Sequence, residues 1–311
     1  MAQLFVPLSG GFGKVAGSGF NTYGENLERK GWRGAELGFI DSFADVWAAV
    51  SEAEFYDWNI GVHHPLYKDG GPLWCNFFAP DVAVRTQAVD AAVTAAQGAH
   101  QIGARYILFH FPWPGFQMPG VDHRAQGWYY TEPLVDLEHW READVYDWSR
   151  KVFDRLATVQ EQEEIKIVLE IDGPNPYFFD GEIYTRLFEE FPALSLCVDT
   201  GRLGMLAKTH GRDPLELCRR WLPWTRHMHL HTSLWDEQGH ARNHIPTTAA
   251  HTADKWPQIT PAADMARMIL AAQPACNVVL EHDPKAVSAE ELDAAHTFAV
   301  ELVGPGPDLL G

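Results

Sequence analysis

The sequence predicts an α/β fold, a (β/α)8 TIM barrel in a single domain over residues 1–311, and three observations predict it. Short β-branched runs alternate with helical patterns eight times along 311 residues, about the length such a barrel needs. No linker and no shift in composition divides the chain. Several of the runs end in a carboxylate or a histidine, and barrel active sites sit at the C-terminal ends of the strands.

The elements follow in order. The first strand is QLFVPL, which leads into the glycine-rich stretch SGGFGKVAGSGFNTYG. That stretch lacks the GK[ST] ending of a phosphate-cradling loop, so it reads as a flexible loop at the barrel mouth. A short helix at NLERKG precedes the second strand, GAELGF, which carries Glu36. SFADVWAAVSEAEFYDW has helical apolar spacing, with Ser42 placed to cap it. The third strand is IGVHHPLY. The helix after it, from about 80 to 102, aligns Val89, Ala92, Val93 and Ala96 on one face. The fourth strand, ARYILFHF, ends in His110. A long loop rich in aromatics, Gly and Pro follows, of a length that is usually functional. A helix with Val145, Trp148, Val152, Leu156 and Val159 on one stripe leads to the fifth strand, IKIVLEIDG. The helix GEIYTRLFEEF leads to the sixth, LSLCVDT. One or two helices between 204 and 221 lead to the seventh, TRHMHLHTS. A second long loop spans 234–260, and the helix TPAADMARMILAA, with Thr260 available as cap, leads to the eighth strand, NVVLEHD. The last helix opens with a capping-box pattern of Ser288 and Glu291, and the tail GPGPDLLG reads as a loose end.

Composition narrows the function. Hydrophobic content of 46% and charged content of 21% are ordinary for a soluble globular protein. The formal charge of -18, from 42 acidic against 24 basic residues, works against nucleic acid and against an anionic membrane surface. The four cysteines form no CxxC pair, and Cys197 and Cys276 lie inside apolar runs, so buried thiols in a reducing compartment are expected. The N-terminus has no basic region followed by a long apolar one, and no stretch approaches a membrane span. A cytoplasmic protein is the expectation.

The chemistry lies at the strand exits. A charged residue at the end of a buried strand is costly unless partnered. Glu170, Asp199, His229 and Glu281 stand at four separate exits, and two Glu, one Asp and one His make a divalent-metal set by ligand type. His64 and His110 fall at exits too. His227 and His231 flank His229 at strand spacing, so all three share a face, and His231 rivals His229 for the ligand role. Any one of these residues alone could be a satisfied polar group or half of an ion pair.

The ordered set VHHPLY, YILFHFPWPG, VLEIDG, CVDTG, MHLHTS and VVLEHD resembles the xylose isomerase-like TIM-barrel superfamily from roughly residue 20 to 300. That superfamily includes sugar phosphate isomerases and epimerases, inosose dehydratases and endonuclease IV. The resemblance implies that Glu170, Asp199, His229 and Glu281 bind one divalent ion (Mn, Mg, Co or Zn). It implies that Glu170 and Glu281 also transfer protons on opposite faces of a sugar. His64 and His110 match the histidines that hold a further zinc in endonuclease IV or contact substrate in isomerases. The chain departs from the endonuclease pattern where DTxH becomes Asp199-Thr200-Gly201-Arg202, since a guanidinium has no lone pair to give a metal. HARNHIP likewise lacks the Asp of the later Asp-Arg-His triplet.

The expected activity is therefore a metal-dependent isomerase or epimerase of a sugar, sugar phosphate or polyol-derived ketone through an enediolate. Dehydration of an inosose-like substrate is the alternative. An endonuclease IV-like phosphodiesterase and a non-catalytic sugar- or protein-binding barrel are further readings. His64, His110, Arg202, Trp113 and His231 are the candidate substrate contacts. Arg202 could bind an anionic substrate group or pair with a neighbouring acid. Glu36 could face the barrel interior or form a structural ion pair. The loop aromatics Trp74, Phe77, Phe78, Trp113, Trp128, Tyr129, Tyr130 and Trp235 suit either a sugar or a homo-oligomer interface.

Overall fold

The computed structural model describes residues 2–9, 32–67, 75–123, 134–179, 182–282 and 288–304. The expected glycine-rich loop, the helix at NLERKG, Trp74, Trp128, Tyr129, Tyr130 and residues 305–311 of the tail lie outside the described residues. In chain order the strands are β1 (Leu4–Ser9), β2 (Gly34–Gly38), β3 (Asn59–His63), β4 (Tyr106–Phe111), β5 (Phe116–Gln117), β6 (Val135–Asp136), β7 (Lys166–Ile171), β8 (Ser195–Asp199), β9 (Thr225–His229), β10 (Thr232–Trp235), β11 (Ala241–Ile245) and β12 (Asn277–Val279). The helices are α1 (Phe43–Phe55), α2 (Val82–Gln101), α3 (Glu142–Glu163), α4 (Pro176–Phe179), α5 (Ile183–Glu190), α6 (Thr200–Thr209), α7 (Pro214–Trp221), α8 (Ala262–Ala272) and α9 (Ala289–Val303).

Eight strands close into a barrel in the order β1-β12-β9-β8-β7-β4-β3-β2, with β2 back on β1, and every pairing is parallel. These are the eight strands the sequence predicts. The β5/β6 pair and the β10–β11 hairpin were not expected. β5 and β11 fall inside the two long segments read as loops, β6 lies just past the first, and β10 begins in the run read as the end of the seventh strand.

Alternation along each strand sorts the core into two layers. Val6, Ile107, Phe109, Ile167, Leu169, Val198 and Met228 face outward into the large core beneath the helices. Phe5, Tyr106, Leu108, Val168, Cys197 and Val279 come from five strands and form a separate cluster, the plug of the barrel interior. Gly34 and Gly61 make room for that plug. A Cβ on Gly61 would lie 2.1 Å from the Tyr106 ring, and one on Gly34 would lie 2.4 Å from Phe5. The helices present apolar stripes to the outer layer, such as Val46, Ala49, Val50 and Ala53 of α1.

The helix ends follow capping rules in most places. Ser42 accepts from the Asp45 amide, and Ser288 and Glu291 form the complete capping box of α9. Thr260 does not cap α8. Pro261 takes that position, while the Thr260 side chain packs over Gly204, where a Cβ would lie 2.2 Å from its hydroxyl. All four cysteines are free and buried. Among the described residues, no helix is long and apolar enough to cross a membrane.

Candidate active site

The strands that alternate inward place their next side chains above the plug, at the C-terminal end of the barrel. His110 of β4 is in register with Glu170 of β7, and Asp199 of β8 with His229 of β9. Glu281 lies two residues beyond Val279, the register partner of His229. The structure thus brings Glu170, Asp199, His229 and Glu281 together, with one ligand atom from each within 4.8 Å of all the others. His229 Nδ1 lies 3.5 Å from Glu170 and 3.3 Å from Glu281. The Glu170 side chain is 1% exposed and that of Glu281 17%, so Glu281 is the carboxylate open to the mouth.

The set has the features of a cation site. Both Glu170 oxygens, Glu281 Oε2 and His229 Nδ1 are buried without a well-formed hydrogen bond, a costly arrangement unless another partner fills the space between them. Burial opposes ionisation of Glu170 and Glu281, but His110 and His229 beside the first and His229 beside the second hold both far below the usual carboxylate range. Asp199 is pushed up by burial, against the pull of His231.

Each central residue is braced from outside. His229 turns its other nitrogen down to Glu36, 3.2 Å away, which fixes Nδ1 toward the four-residue centre. Glu36 also accepts the Tyr106 hydroxyl at 2.8 Å. Burial would raise the Glu36 pKa, but His229, His63 and the Tyr106 hydroxyl hold it below the ordinary value. Glu36 faces the barrel interior and forms an ion pair there with His229, so both readings of it describe the fold. His231 bonds Asp199 at 2.7 Å and so orients that carboxylate. It fits because Gly201 has no side chain; a Cβ there would lie 2.0 Å from its ring.

On the opposite side stands a histidine pair. His110 Nδ1 pairs with Asp172 at 2.7 Å, and its Nε2 lies 3.1 Å from both Glu170 and His63. Burial alone would make His110 a weaker base, yet the Glu170 and Asp172 charges raise its pKa to about 9. His63 donates Nδ1 to the His64 carbonyl at 3.0 Å and turns Nε2 to Glu170 at 3.4 Å. Trp113 is buried with its ring 5.7 Å from that of His110, forming a wall there. Arg202 bonds Asp172 at 2.9 Å and lies 3.8 Å from Asp199 and 4.0 Å from Glu170, so the ion-pair alternative describes it.

One expected contact is corrected. His64 lies just past β3, on the far side of the wall from the four-residue centre. Its ring packs against Phe109 and approaches the Cys75 sulfur at 3.4 Å, in a cleft lined by Phe43, Trp47 and Tyr67. His63, one residue earlier, faces the centre, because neighbours on a strand point to opposite faces. His63, Asp172 and His244 are the site residues that the sequence reading missed. Asp172 carried a usable signal, since it stands two residues past Glu170 and shares its face.

Comparisons agree with this architecture. The family described as xylose isomerase-like TIM barrel matches residues 14–294. No curated protein sequence matches the chain. The fold is similar to that of a D-tagatose 3-epimerase-like protein, with a TM-score of 0.60 and 14% identity over 97% of each chain. It is similar to mannonate dehydratase from Streptococcus suis serotype 2, with a TM-score of 0.61 and 11% identity over 97% of this chain and 92% of that one. A xylose isomerase-like TIM barrel protein from Mycobacterium smegmatis in complex with magnesium gives a TM-score of 0.57 and 13% identity over 98% of both chains. With the family match running over most of its length and a closed parallel barrel to carry it, the chain belongs to the xylose isomerase-like TIM barrel family.

Proposed function

We propose that the protein is a divalent-metal-dependent isomerase or epimerase of a sugar, sugar phosphate or polyol-derived ketone, acting through an enediolate. The observation that carries the reading is the convergence of Glu170, Asp199, His229 and Glu281 on one point at the barrel mouth. The donor set fits a divalent ion. Four buried carboxylates (Glu36, Glu170, Asp172 and Asp199) and the part-exposed Glu281 face Arg202 and the two histidines whose pKa values are raised, His110 and His229. The excess is negative, and the unbonded atoms point to its centre. A bound divalent ion would supply Lewis acidity toward a carbonyl and stabilise the enediolate charge.

The chain's own residues do the rest. Glu170 comes from β7 and Glu281 from beyond β12, with β8 and β9 between them, so the two carboxylates reach a substrate from different sides. One takes the proton from the carbon next to the carbonyl. Return by the other to the opposite face of that carbon gives epimerisation, and return to the neighbouring carbon gives isomerisation. His110, fixed by Asp172, presents Nε2 to the cavity and can hold a proton at a substrate hydroxyl. The pairing of His110 with Asp172 favours a second reading, dehydration, because an imidazole braced by a carboxylate can protonate a departing hydroxyl. Arg202, occupied by Asp172, is not a ligand in an endonuclease-like third metal site.

Two measurements test the proposal. Elemental analysis of protein purified without chelators should find about one divalent ion per chain. Two or three zinc ions would favour a phosphodiesterase, with His63 and His110 among the ligands. Incubation with ketoses and inososes in D2O should place deuterium on the carbon next to the carbonyl. Glu170→Gln with full activity on an identified substrate would remove the role given to that residue, whose loss should cost ~10²–10⁴-fold in rate.

A further inference from the structure

The β10–β11 hairpin carries a feature that the four-residue centre does not require. Thr232 pairs with Ile245 and Leu234 with Arg242, so Ser233 alone faces both Asn243 and His244. One residue against two is a β-bulge, a device that re-aims a side chain and is frequent beside active sites. His244 sits at φ 54°, in the left-handed region, which is uncommon for a residue other than glycine. The bulge is braced where it bends. The Ser233 hydroxyl is 2.7 Å from Asn243 Oδ1 and 3.2 Å from the Gly201 carbonyl.

This backbone delivers an imidazole to the open side of the site. The His244 ring stacks on His231 with centroids 4.4 Å apart, and a ring nitrogen comes within 4.8 Å of ligand atoms of His231 and Glu281. His231 is fully buried, whereas His244 is only half-buried. His244 Nδ1 lies 3.2 Å from the Glu281 carbonyl oxygen. A carbonyl only accepts, so Nδ1 carries the hydrogen, and in a neutral ring Nε2 is then an acceptor. Filling space beside His231 would not call for this residue, since Gly or Asn meets a left-handed position at lower cost. A strained conformation persists where the surroundings enforce it, and such positions cluster at functional sites.

We propose that His244 is a specificity-determining residue whose Nε2 accepts a hydrogen bond from a hydroxyl of a bound polyhydroxylated ketone, near the carbon that Glu281 serves. The inference rests on the function proposed above. It narrows the substrate class, because an acceptor here selects a hydroxyl and gives nothing to a carboxylate or phosphate at that end.

The test uses the full chain loaded with Mn2+ and two ketohexose probes, D-tagatose and D-fructose, with binding read by calorimetry and turnover by deuterium uptake. His244→Ala should weaken binding or raise KM about five- to tenfold, with kcat within about threefold. His244→Asn should recover part of the loss, because its amide oxygen accepts and Asn tolerates the backbone angle. His244→Gly should melt no lower than His244→Ala yet bind as weakly, which separates recognition from folding. Binding by His244→Ala equal to wild type overturns the proposal. So does a manganese content of two per chain that falls to one in His244→Ala, since His244 would then be a ligand. If the metal-loaded wild type binds and turns over neither ketose, the functional reading fails for these substrates and the inference goes with it.

Discussion

Replacing Glu36 by Gln removes one charge while keeping shape, on the far side of the His229 ring from the four-residue centre. In the wild type the Glu36 carboxylate meets two donors, His229 Nε2 at 3.2 Å and the Tyr106 hydroxyl at 2.8 Å. A Gln has one acceptor oxygen and one NH2, so one of the two partners meets a donor. The imidazole loses the anion that fixes its tautomer and raises the basicity of Nδ1. Loss of such an outer partner typically costs 10- to 100-fold in metal affinity, or about 1.4–2.8 kcal/mol. The stability change without metal should be smaller than a buried mismatch of about 1–3 kcal/mol suggests, because the substitution also removes the cost of burying a charge. Competition against a fluorescent chelator for Mn2+ or Zn2+ measures the first quantity, and melting with and without metal measures the second. Tyr106→Phe should show a weaker loss of affinity. Affinity of Glu36→Gln within twofold of wild type would refute the reasoning and leave Glu36 as an ion-pair partner with no influence on the centre.

Three further outcomes follow from the same geometry. Gly201→Ala puts a Cβ 2.0 Å from the His231 ring, so His231 and with it Asp199 must shift; the expected cost is ~1–3 kcal/mol, with a lower melting temperature and weaker metal binding. Metal binding should release protons. Burial opposes the charged form of His229, but Cys197 and the carboxylates Glu36, Glu170 and Glu281 around it raise its pKa well above the ordinary value, which favours the proton that Nδ1 must lose to become a ligand. Calorimetry in buffers of different ionisation enthalpy should therefore report about one proton released per ion, and a value near zero would contradict the assignment of His229. Acid should destabilise the fold through His64, whose pKa burial pushes down to about 3. A depressed histidine pKa favours the neutral ring in the folded state, so its contribution is intact above pH ~6.5 and is lost as pH falls toward 3. His64→Gln should flatten the melting temperature between pH 6.5 and 4, and an unchanged slope would show that other groups govern acid unfolding.

The barrel was legible because its signal is redundant. Each strand combines β-branched residues, a fixed period and a following helix, so an error of two residues at an end changes nothing in the order of the wall. The four central residues were legible for a related reason. A carboxylate or histidine closing a buried apolar run is costly anywhere but at a site, and four such endings lie on neighbouring exits. The misreading at His63 and His64 shows where this logic stops. Two adjacent histidines end one strand, and only the face on which Gly61 meets Tyr106 decides which of them points inward. That parity is a tertiary fact. The same holds for His244. Its segment had no apolar alternation to mark a hairpin, and its position depends on a bulge and on one left-handed residue. Sequence periodicity records the average geometry of an element, whereas His244 is placed by a departure from it. The outer braces are also tertiary, because Glu36 and His229 are 193 residues apart and meet only when β2 and β9 enter the same closed barrel. The centre was therefore visible as a set of residue types, and what surrounds and selects for it was not. That division follows from the physics: ligands are specified by burying charge, and specificity is specified by where irregular backbone aims a side chain.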